Sequence, residues 1–475
     1  MIELGVLRSA FVVRSLNSKG FAIGLGDRPA ADPTLAIVGA ATLLVLVAFT
    51  TVITTVADTA QSFHAPIAWQ TWALGGMSLG LAGALLPAGA LGDALGRRRV
   101  FVLSSVALAV ASALATAAPS MPLFVVGRIL QGAAGAGLLA AGLGLIGRTF
   151  PQGPARNRAT GLWGAMLAGG IVLGPILGAA LALASGWRSA YALSALGALA
   201  LAGVSRRLPA AHDDAQPRRL DPPGTLTMLI AMTALTGGVI SGRSSWTSGP
   251  TLALLLAGVA ALAAFAGIEA CRREPMLDLT LLRRPLFLVS TGGAAVTGLA
   301  SVGLMSYAPT LLERGLGRSA LAAAGVLGVW SVTSMVVAMQ ARRLPDRIDV
   351  RSRLVVGLVL SGTGSAALAG LGAGSSWWRL VPGLFVAGLG SGLANAALAR
   401  LAVESVPRSS MALGSGANNT ARYLGSALGI ALVVAVVAAG GAGAAGLVHG
   451  WNRAALLTAA INLGGAALAL AGRRR

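Results

Sequence analysis

The chain has 475 residues, of which 55% are hydrophobic and only 11% charged, and its mean hydropathy is +0.78. A soluble chain carries about 25% charged residues, and many separate apolar runs of about 20 residues suit helices crossing roughly 30 Å of hydrocarbon rather than the short alternating strands of a barrel. The net charge of +21 comes almost wholly from arginine, Lys19 being the only lysine; because these cations lie in small groups between apolar runs, they point to membrane topology and away from nucleic acid.

Residues 1–34 read as a cytoplasmic tail with no cleavable signal, since Arg8 and Arg14 interrupt any apolar h-region. The apolar runs then predict fourteen spans, near 35–57, 68–90, 99–118, 123–147, 159–183, 189–205, 224–242, 251–270, 286–308, 320–340, 354–372, 380–399, 418–440 and 454–471. The longest polar stretch, RRLPAAHDDAQPRRLDPP over 206–223, separates six spans from eight and is expected to be a cytoplasmic linker. The tail and alternate loops carry 28 of the 36 lysines and arginines, against 6 in the opposite loops. The positive-inside rule therefore places both termini in the cytoplasm. Trp69, Trp72, Trp187, Trp246, Trp377, Trp378 and Trp451 fall at expected outer ends, where an amphipathic ring prefers the interface. Cys271 is the only cysteine, and His64, His212 and His449 are scattered, so no internal disulfide and no metal cluster is expected.

Polar residues inside apolar runs mark candidate sites. In the first span Thr50, Thr51, Thr54 and Thr55 form a stripe that Asp58 closes. Arg128 in GRILQG (127–132) is expected about five residues inside the outer boundary, a costly place for a guanidinium unless it faces water or a carboxylate; Gln131 follows one turn on, on the same face. In GLWGAMLAGGIVLGPILGA (161–179), Gly170, Gly174 and Gly178 recur every four residues and make a smooth groove for another helix backbone, while Pro175 is expected to kink the helix. After the second span GALGDALGRRR (89–99) places Asp93 among Arg97, Arg98 and Arg99. RRLPDRIDVR (342–351), after the tenth span, echoes it with Leu344 and Asp346, which suggests duplication.

The glycine spacing resembles the antiporter motif of the major facilitator superfamily, G-x8-G-x3-G-P-x2-G-G, carried here by Gly161, Gly170, Gly174, Pro175 and Gly178, with Ala179 in place of the last glycine. GALGDALGRRR resembles the superfamily loop signature G-x-L-a-D-r-x-G-r-r, with Ala94 where arginine is common, and GRILQG resembles the fourth-span motif R-x-x-Q-G. From Leu35 to the C-terminus the chain resembles the 14-span drug:proton antiporters of that superfamily. The resemblance implies an all-α polytopic fold: a tail (1–34), an N-terminal six-helix bundle (35–205), the linker (206–223), two extra central helices (224–270) and a C-terminal six-helix bundle (271–475) facing the first across a cavity. It makes Gly89, Asp93, Gly96, Arg97 and Arg98 a conformational latch, with the glycines allowing close approach and a tight turn.

Members of this family carry an aspartate early in the first span, where this chain has Phe49. Asp58 becomes the first candidate proton carrier, placed at the depth of Arg128 so that the two pair across the cavity. Glu313, where a glutamine is common, is the second candidate; Tyr307 and Trp330 are candidates for the cavity wall, and Asn418, Asn419 and Arg422 for knitting helices together. The expected function is proton-coupled export of small amphipathic compounds such as drugs, antibiotics and dyes by alternating access, in a monomer of the inner (plasma) membrane. The alternatives are transport of one dedicated metabolite or lipid, or a non-transporting sensor. No enzymatic activity and no cofactor beyond the proton gradient is expected; the partners are the substrate, protons and the bilayer.

Overall fold

The computed structural model describes residues 33–150, 154–208, 221–242, 245–272, 279–341, 344, 348–372, 374–406 and 411–471. Residues 1–32 of the expected tail and 209–220 of the expected linker lie outside these, as does half of the echo at 342–351, Asp346 included.

The described chain is helical. The first six long helices are α1 (Pro33–Ser62), α2 (Ile67–Leu95), α3 (Arg97–Ala117), α4 (Met121–Thr149), α5 (Pro154–Ser185) and α6 (Arg188–Ser205). Next come α7 (Pro222–Gly242) and α8 (Gly249–Cys271). The helix α9 (Pro285–Gly315) is interrupted by π-helical turns at Thr297–Val302 and Leu311–Gly315. The last five are α10 (Ala320–Gln340), α11 (Val350–Ala367), α12 (Leu380–Glu404), α13 (Met411–Ala438) and α14 (Gly443–Ala471). Proline opens α1, α5, α7 and α9, where its missing amide hydrogen costs nothing.

Twelve of these helices are long and apolar enough to cross a membrane. The other two, α6 and α11, have 18 residues each and carry Arg188, or Arg351 and Arg353, in their first turns, which shortens their apolar stretch. The expected fourteen spans thus divide into twelve helices that qualify by length and hydropathy and two that do not.

Packing repeats with an offset of eight helices. In the first half α1 packs on α5, α2 on α4, and α3 on both α4 and α6. In the second half α9 packs on α13, α10 on α12, and α11 on both α12 and α14. The halves meet where α2 lies along α13 and α5 along α10, contacts that the same offset exchanges. At the α2–α13 seam the hydroxyls of Ser78 and Ser426 are 3.2 Å apart, and Phe49 of α1 meets Tyr423 of α13 edge-on. The pair α7–α8 stands apart from the repeat, with α7 resting on α2 and α13.

Several helix ends differ from the expected bounds, the start of the last helix most. The last helix starts at Gly443 rather than 454, so Trp451 lies inside it, fully buried, with its indole nitrogen donating to the Leu368 carbonyl at 3.0 Å. Trp187 is also buried, packed edge-on against Phe63, Phe124 and Tyr191. For these two rings a partner inside the protein satisfies the N–H, and the interface is not their environment. Trp246 and Trp378 are exposed near helix ends, as an aromatic belt requires.

Backbones touch where glycines face each other. A Cβ on Gly132 of α4 would strike the Met77 carbonyl, and one on Gly80 of α2 would strike the Ile129 carbonyl. The final glycine of GRILQG is therefore a spacer between α2 and α4. Gly132→Val is expected to cost about 1–3 kcal/mol by overpacking, read as a lower melting temperature in detergent. Gly267→Val on α8, where a Cβ meets nothing within 4 Å, is expected to leave it unchanged.

Candidate functional site

Three features between and within the two halves concentrate the polar chemistry: a buried arginine, two glycine seams, and a cavity shared by both halves.

Arg128 on α4 is fully buried. Its Nη1 donates to the Ala48 carbonyl and to Gln131 Oε1, both at 2.8 Å, and its Nη2 to the Phe49 carbonyl at 3.2 Å. The Gln131 amide nitrogen donates in turn to Ser112 Oγ on α3 at 2.8 Å. The Tyr191 ring lies 5.9 Å from the guanidinium carbon, and its hydroxyl is 2.9 Å from Thr55 Oγ1. A cation in hydrocarbon needs dipoles or a counter-charge; here backbone carbonyls of α1 and an aromatic face serve. The expected Arg128–Asp58 pair is not formed. Asp58 lies nine residues beyond Phe49, about 13 Å along α1, and is exposed. Arg128 does not snorkel outward, and Nε, also buried, has no hydrogen-bond partner among the described residues.

The expected groove on α5 faces α1. A Cβ on Gly170 would meet Leu46 and the Leu43 carbonyl, one on Gly174 the Thr50 side chain and the Val47 carbonyl, and one on Gly178 the Thr51 carbonyl. The threonine stripe uses this closeness. Thr50 Oγ1 donates to the Gly170 carbonyl and Thr51 Oγ1 to the Gly174 carbonyl, each at 3.3 Å, and Thr54 Oγ1 to the Pro175 carbonyl at 3.0 Å. Pro175 offers no amide hydrogen one turn back, yet α5 runs unbroken from Pro154 to Ser185. Gly161 is not part of the seam: it is exposed, and a Cβ there meets nothing within 4 Å.

A second seam, which sequence reasoning missed, joins α13 to α9. Cβ atoms on Gly425 and Gly429 would strike the carbonyls of Ala295 and Leu299, and one on Gly303 would meet Gly429. The signal was present as G-x3-G within YLGSALG (423–429). Asn418 ties the same pair, its amide nitrogen donating to the Ser290 carbonyl at 3.0 Å and hydroxyl at 2.9 Å. Asn419 instead pairs locally, accepting from Arg422 Nη2 at 2.5 Å.

A cavity of about 630 Å³ lies between the halves on the face opposite the arginine-rich loops. Val56 of α1 and Gln70, Thr71 and Leu74 of α2 line one side; Tyr307, Thr310 and Arg314 of α9, with Val434 and Ala438 of α13, line the other. The π turns of α9 flank Tyr307, and such turns recur at functional sites. Arg314 Nη2 reaches the Ala57 carbonyl at 3.5 Å, bridging α9 to α1. Glu313, beside it, is half-buried with Oε1 buried and unpartnered among the described residues, within electrostatic reach of Asp58. Of the expected cavity residues, the structure brings Tyr307 to the wall; Asp58 and Glu313 are not among the lining residues, and Glu313 feels the charges of Asp58 and Arg314 through space. Arg128 and Gln131 do not line this cavity. Trp330 does not either: its indole nitrogen donates to Ser391 Oγ at 3.1 Å, packing α10 on α12. Gln70, Thr71 and Thr310 were not foreseen, because single polar residues near helix ends carry no motif.

On the arginine-rich face Gly96 alone connects α2 to α3, with φ +90, a conformation that favours glycine. Arg97 Nη1 donates to the Gly144 carbonyl of α4 at 2.7 Å, and Arg98 Nη2 to the Arg206 carbonyl after α6. Gly89 makes no close approach; a Cβ there meets nothing within 4 Å. The side chain of Asp93 lies outside the described residues. The second half uses the same device, Arg351 Nε donating to the Ala469 carbonyl of α14 at 2.6 Å.

The family model for the Major Facilitator Superfamily matches residues 38–430. The chain is 31% identical over 377 residues to a probable actinorhodin transporter of Streptomyces coelicolor, covering 76% of this chain and 64% of that one. It is 28% identical over 370 residues to the multidrug resistance protein Stp of Mycobacterium tuberculosis, covering 78% of this chain and 68% of that one. This chain therefore spans about two thirds of the length of these relatives. A crystal structure of a bacterial homolog of the human lysosomal transporter Spinster, inward-facing and unoccupied, superposes with a TM-score of 0.66 at 16% identity, covering 94% of this chain and 98% of that one.

Two substitutions separate packing from hydrogen bonding at the first seam. Thr54→Val is expected to cost about 0.6 kcal/mol, the average for an interhelical hydrogen bond in a membrane. Gly174→Leu is expected to cost several times more, about 1–3 kcal/mol, because the helices must part. Thermal unfolding of the two purified variants in one detergent checks the order.

Proposed function

The chain belongs to the major facilitator superfamily, and we propose that it exports small amphipathic organic compounds in exchange for protons by alternating access. The observation that carries this reading is the cavity between the halves, with Arg314 in its wall bridging α9 to the Ala57 carbonyl of α1, and with Glu313 next to Arg314 in the chain and under the electrostatic influence of Asp58. A compartment bounded by both halves changes access when the halves rock, whereas a pocket inside one half would not. The names of the relatives, a probable actinorhodin transporter and a multidrug resistance protein, support export and an organic cargo.

In the proposed cycle Glu313 takes up the proton, with Asp58 as its neighbour. Its half-buried carboxylate faces two opposing influences, Asp58 of like charge and Arg314 of opposite charge, so the arrival of a proton changes the balance of contacts between α1 and α9. Arg128 holds α4 to the backbone of α1 and is a positioning residue in this reading. The glycine seams α1–α5 and α9–α13 keep each half rigid in its pair while the halves move along α2–α13 and α5–α10. All fourteen long helices span the bilayer, α6 and α11 included, with both termini on the arginine-rich face in the cytoplasm of a plasma membrane.

A second reading, export of one dedicated natural product, is supported by the actinorhodin relative as the multidrug reading is by Stp. The two differ in breadth of cargo and share the mechanism.

Reconstituted into liposomes with an imposed pH gradient, the protein is expected to move a cationic dye such as ethidium against its gradient. Glu313→Gln is expected to lower gradient-driven transport about tenfold or more while Asp58→Asn lowers it less. Transport unaltered in both variants would remove this cluster as the coupling site. A gradient-independent protein that moves neither dyes nor antibiotics would leave the sensor alternative standing.

A further inference from the structure

On the outside of the first half, α1 and α6 do not close on each other. An apolar groove of about 530 Å³ runs between them and ends against α5. Its volume falls in the range of small-molecule sites, about 300–1,000 Å³. Small side chains open it: Ala36 and Ala40 on α1, and Gly197 and Ala200 on α6, all line the groove. Three of them, Ala36, Ala40 and Ala200, sit at exposed positions. Elsewhere on the outer face of α6 the exposed positions carry Leu196 and Leu199.

The groove has a length and a charged end. Its α1 wall runs from Ala36 to Thr51, about 22 Å at 1.5 Å per residue, more than half of the roughly 30 Å of hydrocarbon. Its α6 wall ends at Val204. Arg207 follows three residues later, on the same side of the chain, with its amide donating back to the Val204 carbonyl. Arg206 and Arg207 are both exposed, and Arg98 clamps the Arg206 carbonyl, so the basic end of the groove is held in place. An apolar slot of more than leaflet depth under two exposed guanidinium groups has the chemistry of a phospholipid site.

We propose that this groove binds an anionic glycerophospholipid, with one acyl chain between α1 and α6 and the phosphate at Arg206 and Arg207. The far end of the chain lies against Thr51 and Gly178, which line the groove and also form the α1–α5 seam. Occupancy therefore braces that seam from the lipid side.

Native mass spectrometry of the full chain, purified in an equal mixture of phosphatidylglycerol and phosphatidylcholine with identical acyl chains, tests this. The wild type is expected to retain phosphatidylglycerol over phosphatidylcholine by at least about fivefold, the worth of one arginine near an anionic headgroup. Ala200→Trp and Ala40→Trp, each filling the groove, are expected to lose retained lipid of both kinds. The double variant Arg206→Gln with Arg207→Gln is expected to keep lipid but lose the preference. Leu256→Trp, on the exposed face of α8, is expected to match the wild type. Equal retention of the two lipids by the wild type, or retention in the tryptophan variants equal to that of Leu256→Trp, would overturn the proposal. If a tryptophan variant does not fold, the arginine variant decides alone: both side chains are exposed, and a preference that survives their removal also overturns it.

Discussion

Helices in hydrocarbon gain nothing from burying apolar surface against one another, since lipid is as apolar as leucine; they are held by close packing and by polar groups that have no other partner. The rest of this structure depends on that constraint. Where α5 meets α1, glycines bring the backbones close enough for threonine hydroxyls to reach across to carbonyls. Where α4 meets α2, Gly80 and Gly132 allow the same approach. Arg128 is tolerable only because α4 also lies close to α1, so that its guanidinium finds two carbonyls at hydrogen-bond distance. A looser bundle would leave a bare charge in a low-dielectric interior, at a cost of several kcal/mol.

The two halves solve the same packing problem with different chemistry. Both use small residues at the seam between their first and fifth helices. In the first half the seam is laced by threonines on a regular α1; in the second, α9 carries two π-helical turns and the seam is nearly all backbone and small side chains. The irregular helix is the one that brings Tyr307, Thr310 and Arg314 to the shared cavity. Regular packing thus stabilises one side of the α1–α9 meeting point and irregular packing shapes the other. Asp58 and Glu313, on these two unlike supports, influence each other electrostatically across the meeting point.

Much of this was legible in the residues, for reasons that can be named. Glycines four apart share a helix face whatever the tertiary context, so the groove of Gly170, Gly174 and Gly178 could be read from spacing. Gly161, nine residues upstream, belonged to the motif but not to the seam. The cost of a buried guanidinium marked Arg128 as exceptional, but its partners were hidden because carbonyls have no sequence signature. The pairing of Arg128 with Asp58 rested on height along the helix axis. Height says nothing of azimuth, and even the height was misjudged, since α4 places Arg128 at the level of Phe49. Aromatic rings near helix ends usually sit at the interface, which is what the sequence predicts for Trp451 and Trp187; a carbonyl and a ring of aromatic neighbours claim them instead.

The sequence by itself determined the helical membrane class, the alternation of basic loops and the face of α5 that packs. Each of these follows from local periodicity, hydropathy or charge, which neighbouring residues express without reference to the rest of the chain. Only the tertiary structure decided which helices touch, that α2 and α5 meet α13 and α10, what Arg128 holds, and that Asp58 forms no pair with Arg128 and instead influences Glu313 electrostatically. Those outcomes depend on the rotation of each helix about its own axis. That rotation is set by the summed packing of all its neighbours, a quantity no single stretch of sequence contains.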